Sequence, residues 1–211
     1  MCGRFYINDR DPVLWRLYEQ MRSRPGYELL HGGEIFPTDV IPVLVSENGK
    51  LVPRPMVWGL PKWDGKGVVI NARAESVTER SLFRRAFFEN PAIIPTSGFF
   101  EWKTPPQGGK KEKYLFTLPG AARVYLAGFW SRYDDADGPL PERVTILTIK
   151  ATTGMAPYHH RMPLILLPDD LEDWAEGRGH GARFGLSQPE VQAEIQSEPG
   201  RPCPNESYSL F

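Results

Sequence analysis

The chain has 211 residues, and its 25 basic and 26 acidic residues leave a net charge of −1. This length favours one large domain with a substantial core, and the near-neutral charge excludes a global basic field, so nucleic-acid binding would need a local patch. No apolar stretch has the length of a membrane span, and the N-terminal residues lack the pattern of a signal peptide, so an intracellular protein is expected. The two cysteines, Cys2 and Cys203, lack metal-type spacing, which argues against a disulfide framework or a structural zinc site.

The chain opens with Met1-Cys2-Gly3-Arg4-Phe5. Removal of the initiator methionine would leave Cys2 with a free α-amine and a thiol on adjacent carbons. Their unperturbed pKa values are about 8 and about 8.5, so both groups populate nucleophilic forms near neutral pH. Such a 1,2-aminothiol can trap an aldehyde first as a Schiff base and then as a thiazolidine ring. Position alone favours an ordinary cysteine near the chain start, so the other motifs must decide.

The first half of the chain mixes helical and strand patterns. Asp11-Pro12, followed by apolar residues at helical spacing, predicts an amphipathic helix. The segment 40–52 predicts a β-hairpin with its turn at Asn48-Gly49. A strand is predicted over 68–70, and a short helix over Ser81–Phe88.

The second half consists mostly of strand patterns. Strand-like runs lie at 92–95, 98–103, 114–118, 124–130, 144–149 and 163–167. A helix is predicted to begin at Pro168, a weaker helical pattern covers Pro189–Ile195, and the tail from residue 199 reads as irregular. Strands outnumber helices without regular alternation or repeats. These features predict a single α+β domain over residues 1–211, with a mainly antiparallel, curved or barrel-like sheet flanked by short helices.

Three interior stretches carry candidate chemistry. Ile70–Glu75 ends a strand in an amide, a guanidinium and a carboxylate, a pattern also typical of a capped turn with a surface ion pair. Ser97–Lys103 places Glu101 among aromatic residues; burial there would suit it to acid–base work, although partly exposed glutamates on edge strands are commoner. Met155–Pro163 contains two adjacent histidines before an arginine, which is compatible with a metal site, a general acid or a solvated turn.

Together these segments resemble the SRAP family, named for SOS-response-associated peptidases and known as sensors of abasic sites in DNA. The resemblance rests on Met1–Phe5, Trp58-Gly59, Ile70–Glu75, Ser97–Lys103 and His159–Pro163, which follow the family's order at similar intervals. The sequence departs from many members at Glu34–Thr38, which lacks their Asn-x-Ala-Pro run. The resemblance implies a mainly β domain with a positively charged cleft for single-stranded DNA.

The resemblance also implies a catalytic set of Cys2, Asn71, Glu101 and His159. Met1 would be removed, a step that family members are thought to assist themselves, and Cys2 would crosslink to the ring-opened abasic aldehyde. Asn71 can hydrogen-bond the new amine or the sugar oxygen, and Glu101 can accept the proton of the amine. His159 can assist opening of the sugar ring and dehydration of the carbinolamine. The same Schiff base permits β-elimination, so weak abasic-site lyase activity is expected.

For DNA binding, the resemblance places Arg4, Arg73 and Arg161 on backbone phosphates, with Trp63 and Trp102 near unstacked bases. Guanidinium contacts to phosphate give affinity that weakens with salt, and aromatic faces accept any base. Core packing accounts for Trp102 nearly as well. We expect a monomer that acts on single-stranded DNA containing abasic sites, without a metal, cofactor or membrane, in the cytoplasm and associated with the nucleoid upon DNA damage.

Functions of other classes stay open. Cys2 could serve an N-terminal-nucleophile thiol peptidase or amidohydrolase, with its own amine as the base. The chain could instead be a non-catalytic binding module for single-stranded DNA. A zinc site formed by Cys2, Glu101 and His159 is a third alternative.

Overall fold

The computed structural model describes residues 2–134, 138–178 and 188–196. Its α-helices are α1 (Pro12–Met21), α2 (Ser81–Glu89) and α3 (Leu171–Ala175), and its short 3₁₀ helices are Tyr27–Leu29, Ala74–Glu79 and Pro168–Asp170. Its strands are β1 (Phe5–Ile7), β2 (Gly33–Ile35), β3 (Val40–Glu47), β4 (Lys50–Trp58), β5 (Leu60–Pro61), β6 (Val68–Val69), β7 (Asn71–Arg73), β8 (Pro91–Thr96), β9 (Gly98–Lys103), β10 (Glu112–Thr117), β11 (Val124–Arg132), β12 (Glu142–Lys150), β13 (Arg161–Pro163), β14 (Ile165–Leu166) and β15 (Gln192–Gln196).

These strands form two larger sheets and one small hairpin. The eight-stranded sheet has the order β13-β12-β4-β3-β8-β11-β14, with β7 paired to β12. Because β11 also pairs with β12, this sheet curls back on itself. The five-stranded sheet has the order β15-β10-β9-β1-β2, and β5 pairs with β6. Among the described strands, the pairings of β12 with β4 and β7 are parallel and the others are antiparallel. The predicted α+β class with a curved, mainly antiparallel sheet is confirmed.

Local sequence signals explain the predicted helix α1 and the first hairpin. The Asp11 carboxylate accepts hydrogen bonds from the backbone N–H groups of Val13 and Leu14 at 2.8 and 3.1 Å, which caps the start of α1. The hairpin of β3 and β4 turns through Asn48 and Gly49, whose φ angles are 53° and 75°. Both angles fit the two-residue turn that matches the twist of the flanking strands. These two predictions are confirmed.

Two sequence predictions require correction. Residues Pro189–Ile195 were predicted as a weak helix, but the chain forms β15 along the free edge of β10. The edge of β10 supplies hydrogen-bond partners for the backbone of this segment, so it forms a strand although its own residues suggest a helix. The predicted single strand over 163–167 is divided at Leu164, whose N–H donates to Leu147 and whose carbonyl accepts from Ala127. The division lets this segment cross from β12 to β11.

The tail from residue 199, predicted as irregular, lies outside the described residues. Within the described parts of the chain, none of the helices combines the length and the hydropathy that a bilayer crossing would need.

Candidate active site

The N-terminal segment lies where the two larger sheets meet. In the pairing of β1 with β9, Phe5 is opposite Phe99, and the Phe100 N–H donates to the Arg4 carbonyl at 2.9 Å. The Phe5 ring packs against Trp58 of the eight-stranded sheet, with ring centroids 4.9 Å apart. Cys2 is therefore held at a fixed place between the sheets, and its side chain is completely buried.

Asn71 makes direct contact with Cys2. Its Nδ2 donates a hydrogen bond to the Cys2 carbonyl at 2.8 Å, and the neighbouring Ile70 carbonyl accepts from the Trp58 indole at 3.1 Å. The Asn71 Oδ1 atom is buried and has no hydrogen-bond partner among the described residues. Because a buried acceptor without a partner is costly, this oxygen is suited to receive a donor such as an α-amine.

Glu101 acts electrostatically on the Cys2 thiol. Burial and, to a smaller extent, the negative charge of Glu101 raise the pKa of the Cys2 thiol well above its usual range. The Sγ atom lies 3.4 Å from the Arg4 carbonyl, where a protonated thiol can donate. Glu101 is itself buried, because β9 lies between β1 and β10 instead of at a sheet edge. Burial and the charge of Glu101 therefore both favour the protonated form of the Cys2 thiol.

His159 is connected to the strand that carries Glu101 through the preceding residue, Tyr158. The Tyr158 ring packs against Tyr114 at 4.7 Å, and Tyr114 is opposite Glu101 in the pairing of β10 with β9. The Nδ1 atom of His159 lies 2.9 Å from the backbone nitrogen of Arg161, so proton exchange with a substrate would pass through Nε2. Cys2, Asn71 and Glu101 thus form one group, and the contacts of Tyr158 tie the His159 loop to the sheet that carries Glu101.

The three predicted phosphate-binding arginines differ in their surroundings. Arg73 is exposed and forms no salt bridge within the described ranges. Arg4 forms an ion pair with Glu34 at 2.8 Å. Arg161 is mostly buried and binds both oxygens of Glu75 at 2.7 Å. The structure therefore places Arg161 in an internal contact that the sequence motif did not predict.

The second histidine, His160, lies against the first. The pKa of His160 is lowered, first by the charge of His159, then by desolvation, with further contributions from Arg161 and Arg73. The His159 and His160 rings stack with centroids 4.4 Å apart.

The two predicted base-contacting tryptophans lie in different environments. Trp63, in the loop between β5 and β6, is 94% exposed. It lines a cleft of about 620 Å³ together with Tyr133 and Arg143. Trp102 is half-buried, with its ring 5.8 Å from both the Arg4 guanidinium and the Lys113 ammonium. Trp102 therefore contacts a charged cluster and is not a core residue.

No group of three or more His, Cys, Asp or Glu side chains within residues 2–134, 138–178 and 188–196 has a geometry that could hold a metal ion. The alternative of a zinc site at Cys2, Glu101 and His159 therefore has no support from the geometry.

The model of the family described as SOS response associated peptidase (SRAP) matches residues 1–198. The chain belongs to the SRAP family. This SRAP chain is 30% identical over 182 residues to abasic site processing protein YedK of Escherichia coli, covering 82% of the chain and 79% of that protein. It is 28% identical over 179 residues to abasic site processing protein YoaM of Bacillus subtilis, covering 82% and 78%. A crystal structure of a Bacteroides thetaiotaomicron protein shares the SRAP fold, with a TM-score of 0.73, 20% identity and 93% of each chain covered.

The SRAP motifs alone did not identify a charged cluster beside the N-terminus. Glu34 of β2 joins Arg4 of the N-terminal segment to Lys113 of β10, with a Lys113 Nζ to Glu34 Oε2 distance of 2.5 Å. The partners are separated by 30 and 79 residues in sequence, so no local pattern reveals them. The absence of the Asn-x-Ala-Pro run at Glu34–Thr38 was the one sequence signal in this part of the chain.

Proposed function

We propose that the mature chain, after loss of Met1, captures abasic sites in single-stranded DNA through a thiazolidine formed by Cys2. The crosslink would shield the damaged strand from cleavage. The observation that carries this proposal is the hydrogen bond from Asn71 to the Cys2 carbonyl at 2.8 Å, beside the buried Glu101. Relatives named abasic site processing proteins support the choice of substrate.

The amine begins the reaction in this proposal. The raised pKa of the Cys2 thiol leaves little thiolate, whereas removal of Met1 would create an α-amine whose ordinary pKa is about 8. The amine attacks C1 of the open-chain sugar aldehyde, and the carbinolamine loses water to give an iminium. The sulfur then bonds to the same carbon while its proton leaves. One aldehyde and one aminothiol thus give one thiazolidine and one water molecule.

The surrounding side chains handle the protons of these steps. Glu101 takes a proton from the ammonium form of the amine and releases it to solvent, and it can then take the proton of the thiol, because its charge acts on the Cys2 side chain. Asn71 Oδ1 accepts a hydrogen bond from the amine and directs its lone pair toward the aldehyde. His159 supplies a proton through Nε2 to the departing water or to the sugar ring oxygen.

Arg4, Arg73 and Trp102 would hold the strand at this centre. The two guanidinium groups contact phosphates, and the partly exposed indole accepts an unstacked base. Trp63 on its exposed loop would extend this base contact. If the thiol fails to close the ring, the iminium permits β-elimination and gives weak lyase activity.

The test is incubation of processed protein with single-stranded DNA treated with uracil glycosylase. We expect a heat-stable adduct on a denaturing gel. Cys2→Ser keeps the α-amine and removes the thiol, so its adduct should appear only after borohydride reduction of the Schiff base. Cys203→Ala, which removes the other cysteine of the chain, should leave the adduct unchanged.

Three results would refute the crosslink. These are no adduct with processed protein, an equal heat-stable adduct with Cys2→Ser, or loss of the adduct with Cys203→Ala. Intact-mass spectrometry must first show that methionine is absent. Turnover of peptide substrates with no DNA adduct would instead favour a thiol peptidase.

A further inference from the structure

Glu34 bridges two cations at the end of β1 that leads to Cys2. Its Oε1 lies 2.8 Å from Arg4 and its Oε2 lies 2.5 Å from Lys113. Strand pairing explains why Glu34 meets these two cations. Glu34 of β2 is opposite Tyr6 of β1, and Lys113 of β10 is opposite Trp102 of β9. These side chains share one face of the five-stranded sheet.

Aromatic rings cover the other sides of both cations. The Arg4 guanidinium lies 3.7 Å from the ring centroid of Phe36, and the Lys113 ammonium lies 4.0 Å from that of Phe100. Each cation is thus held on a ring and presents its remaining donors to one anion. A phosphate group offers oxygens that can bridge two cations in the way that the Glu34 carboxylate does.

The bridge is placed to exchange with another anion. The side chains of Arg4 and Glu34 are 33% and 28% exposed, and Arg4 uses one nitrogen toward one oxygen. Hydrogen bonds from Lys113 and Arg4 outweigh the effect of burial and lower the pKa of Glu34, so the carboxylate is charged at neutral pH. Its departure requires rotation of one side chain and no change in the pairing of β2 with β1.

We infer that Glu34 occupies a phosphate position of the DNA-binding surface and competes with the strand for Arg4 and Lys113. The inference rests on the proposed function and adds a residue that sets its affinity. A bound strand must displace the carboxylate, which lowers the affinity for intact single-stranded DNA. Binding in the wild type also releases fewer counterions, because the two cations are already neutralised within the protein.

Fluorescence anisotropy with a short oligothymidylate that lacks an abasic site measures this competition without the covalent step. Glu34→Gln keeps the shape of the side chain and removes its charge. We expect it to bind about three- to tenfold more tightly than the wild type, as expected for two partly exposed ion pairs that no longer need to break. The slope of log affinity against log salt should steepen by about 0.7 for each cation made available.

Glu47→Gln is the matched control. Glu47 also bridges two cations, Arg54 at 2.5 Å and Arg24 at 3.6 Å, and lies at the opposite end of the β3–β4 hairpin from Trp58. It changes the net charge equally, so its affinity should stay at the wild-type value. Glu34→Asp retains the charge but is too short to reach both cations, so it should bind with intermediate affinity.

Unchanged or weaker binding by Glu34→Gln, or an equal gain with Glu47→Gln, would overturn the competition. In that case a normal Cys2 adduct would leave the proposed function standing. Conversely, tighter binding by Glu34→Gln without any Cys2 adduct would refute the crosslink and retain the competition. If neither the wild type nor any variant binds the oligothymidylate, the competition is wrong, and the Cys2 adduct alone decides the proposed function.

Discussion

Two arginines from the same set of motifs have opposite environments. Arg161 is 11% exposed, binds both oxygens of Glu75 and donates to the Thr148 carbonyl. Arg4 is 33% exposed, contacts a single Glu34 oxygen and rests on an aromatic ring. Donors that bind partners inside the protein stabilise it, whereas donors held by one exchangeable partner can bind a ligand. A motif arginine is therefore not by itself a phosphate ligand.

The largest effect should follow Arg161→Gln. This change removes a mostly buried guanidinium and leaves the Thr148 carbonyl and the half-exposed Glu75 carboxylate without their charged donor. We expect the free energy of unfolding to fall by about 2 kcal/mol. Chemical denaturation measures it, with Arg4→Gln as the control that should lose less than about 1 kcal/mol because its ion pair is partly exposed and uses a single oxygen of Glu34. Equal losses would remove the distinction between the two arginines.

Arg4→Gln should act mainly on DNA. Loss of one charged phosphate contact is expected to weaken binding of single-stranded DNA about tenfold and, in the Glu34→Gln background where Arg4 is no longer neutralised, to reduce the salt slope by about 0.7. Anisotropy titrations at several salt concentrations measure both quantities. An unaltered salt slope in that background would show that Arg4 does not contact phosphate.

Acid should selectively weaken the Arg161 contact. Hydrogen bonds and charge from Arg161 hold the pKa of Glu75 below its ordinary value of 4.5. A carboxylate with a lowered folded pKa contributes stability above its unfolded pKa, and this contribution is lost as the pH falls through the folded value. The difference in melting temperature between wild type and Glu75→Gln should therefore be largest near neutral pH and shrink below about pH 4.5. A difference that is constant with pH would contradict this linkage.

The smallest effect should be that of Glu75→Gln on the affinity for DNA. Arg161 keeps its contact with the Thr148 carbonyl, so removal of the Glu75 charge does not make its guanidinium available. Binding of oligothymidylate should change by less than about twofold, in contrast to Glu34→Gln. A gain as large as that of Glu34→Gln would show that the two carboxylates play the same role.

Local signals made much of the fold predictable. Asp11-Pro12 and Asn48-Gly49 specify their own backbone geometry, and the structure has helix α1 and the β3–β4 turn at those places. The edge strand β15 was not predictable from its own residues, because its hydrogen-bond partners belong to β10. A pairing between strands that lie far apart in the sequence leaves no pattern in the residues of either strand.

The candidate site was likewise predictable only in part. The resemblance selected Cys2 and Asn71, and the structure joins them across 69 residues by a hydrogen bond. Whether these residues carry out the proposed chemistry stays a prediction. The ion pairs of Arg4 and Arg161 could not be predicted, because each partner comes from a strand or turn that only the folded sheet brings near.

The buried position of Cys2 between two sheets has a practical consequence for protein production. Phe5 and Cys2 belong to the core, so the start of this chain is not a loose end onto which a purification tag can be fused without effect. Any leading fusion keeps the Cys2 nitrogen in an amide, which is not nucleophilic. Preparations meant for activity assays should carry the tag elsewhere or release it immediately before Cys2.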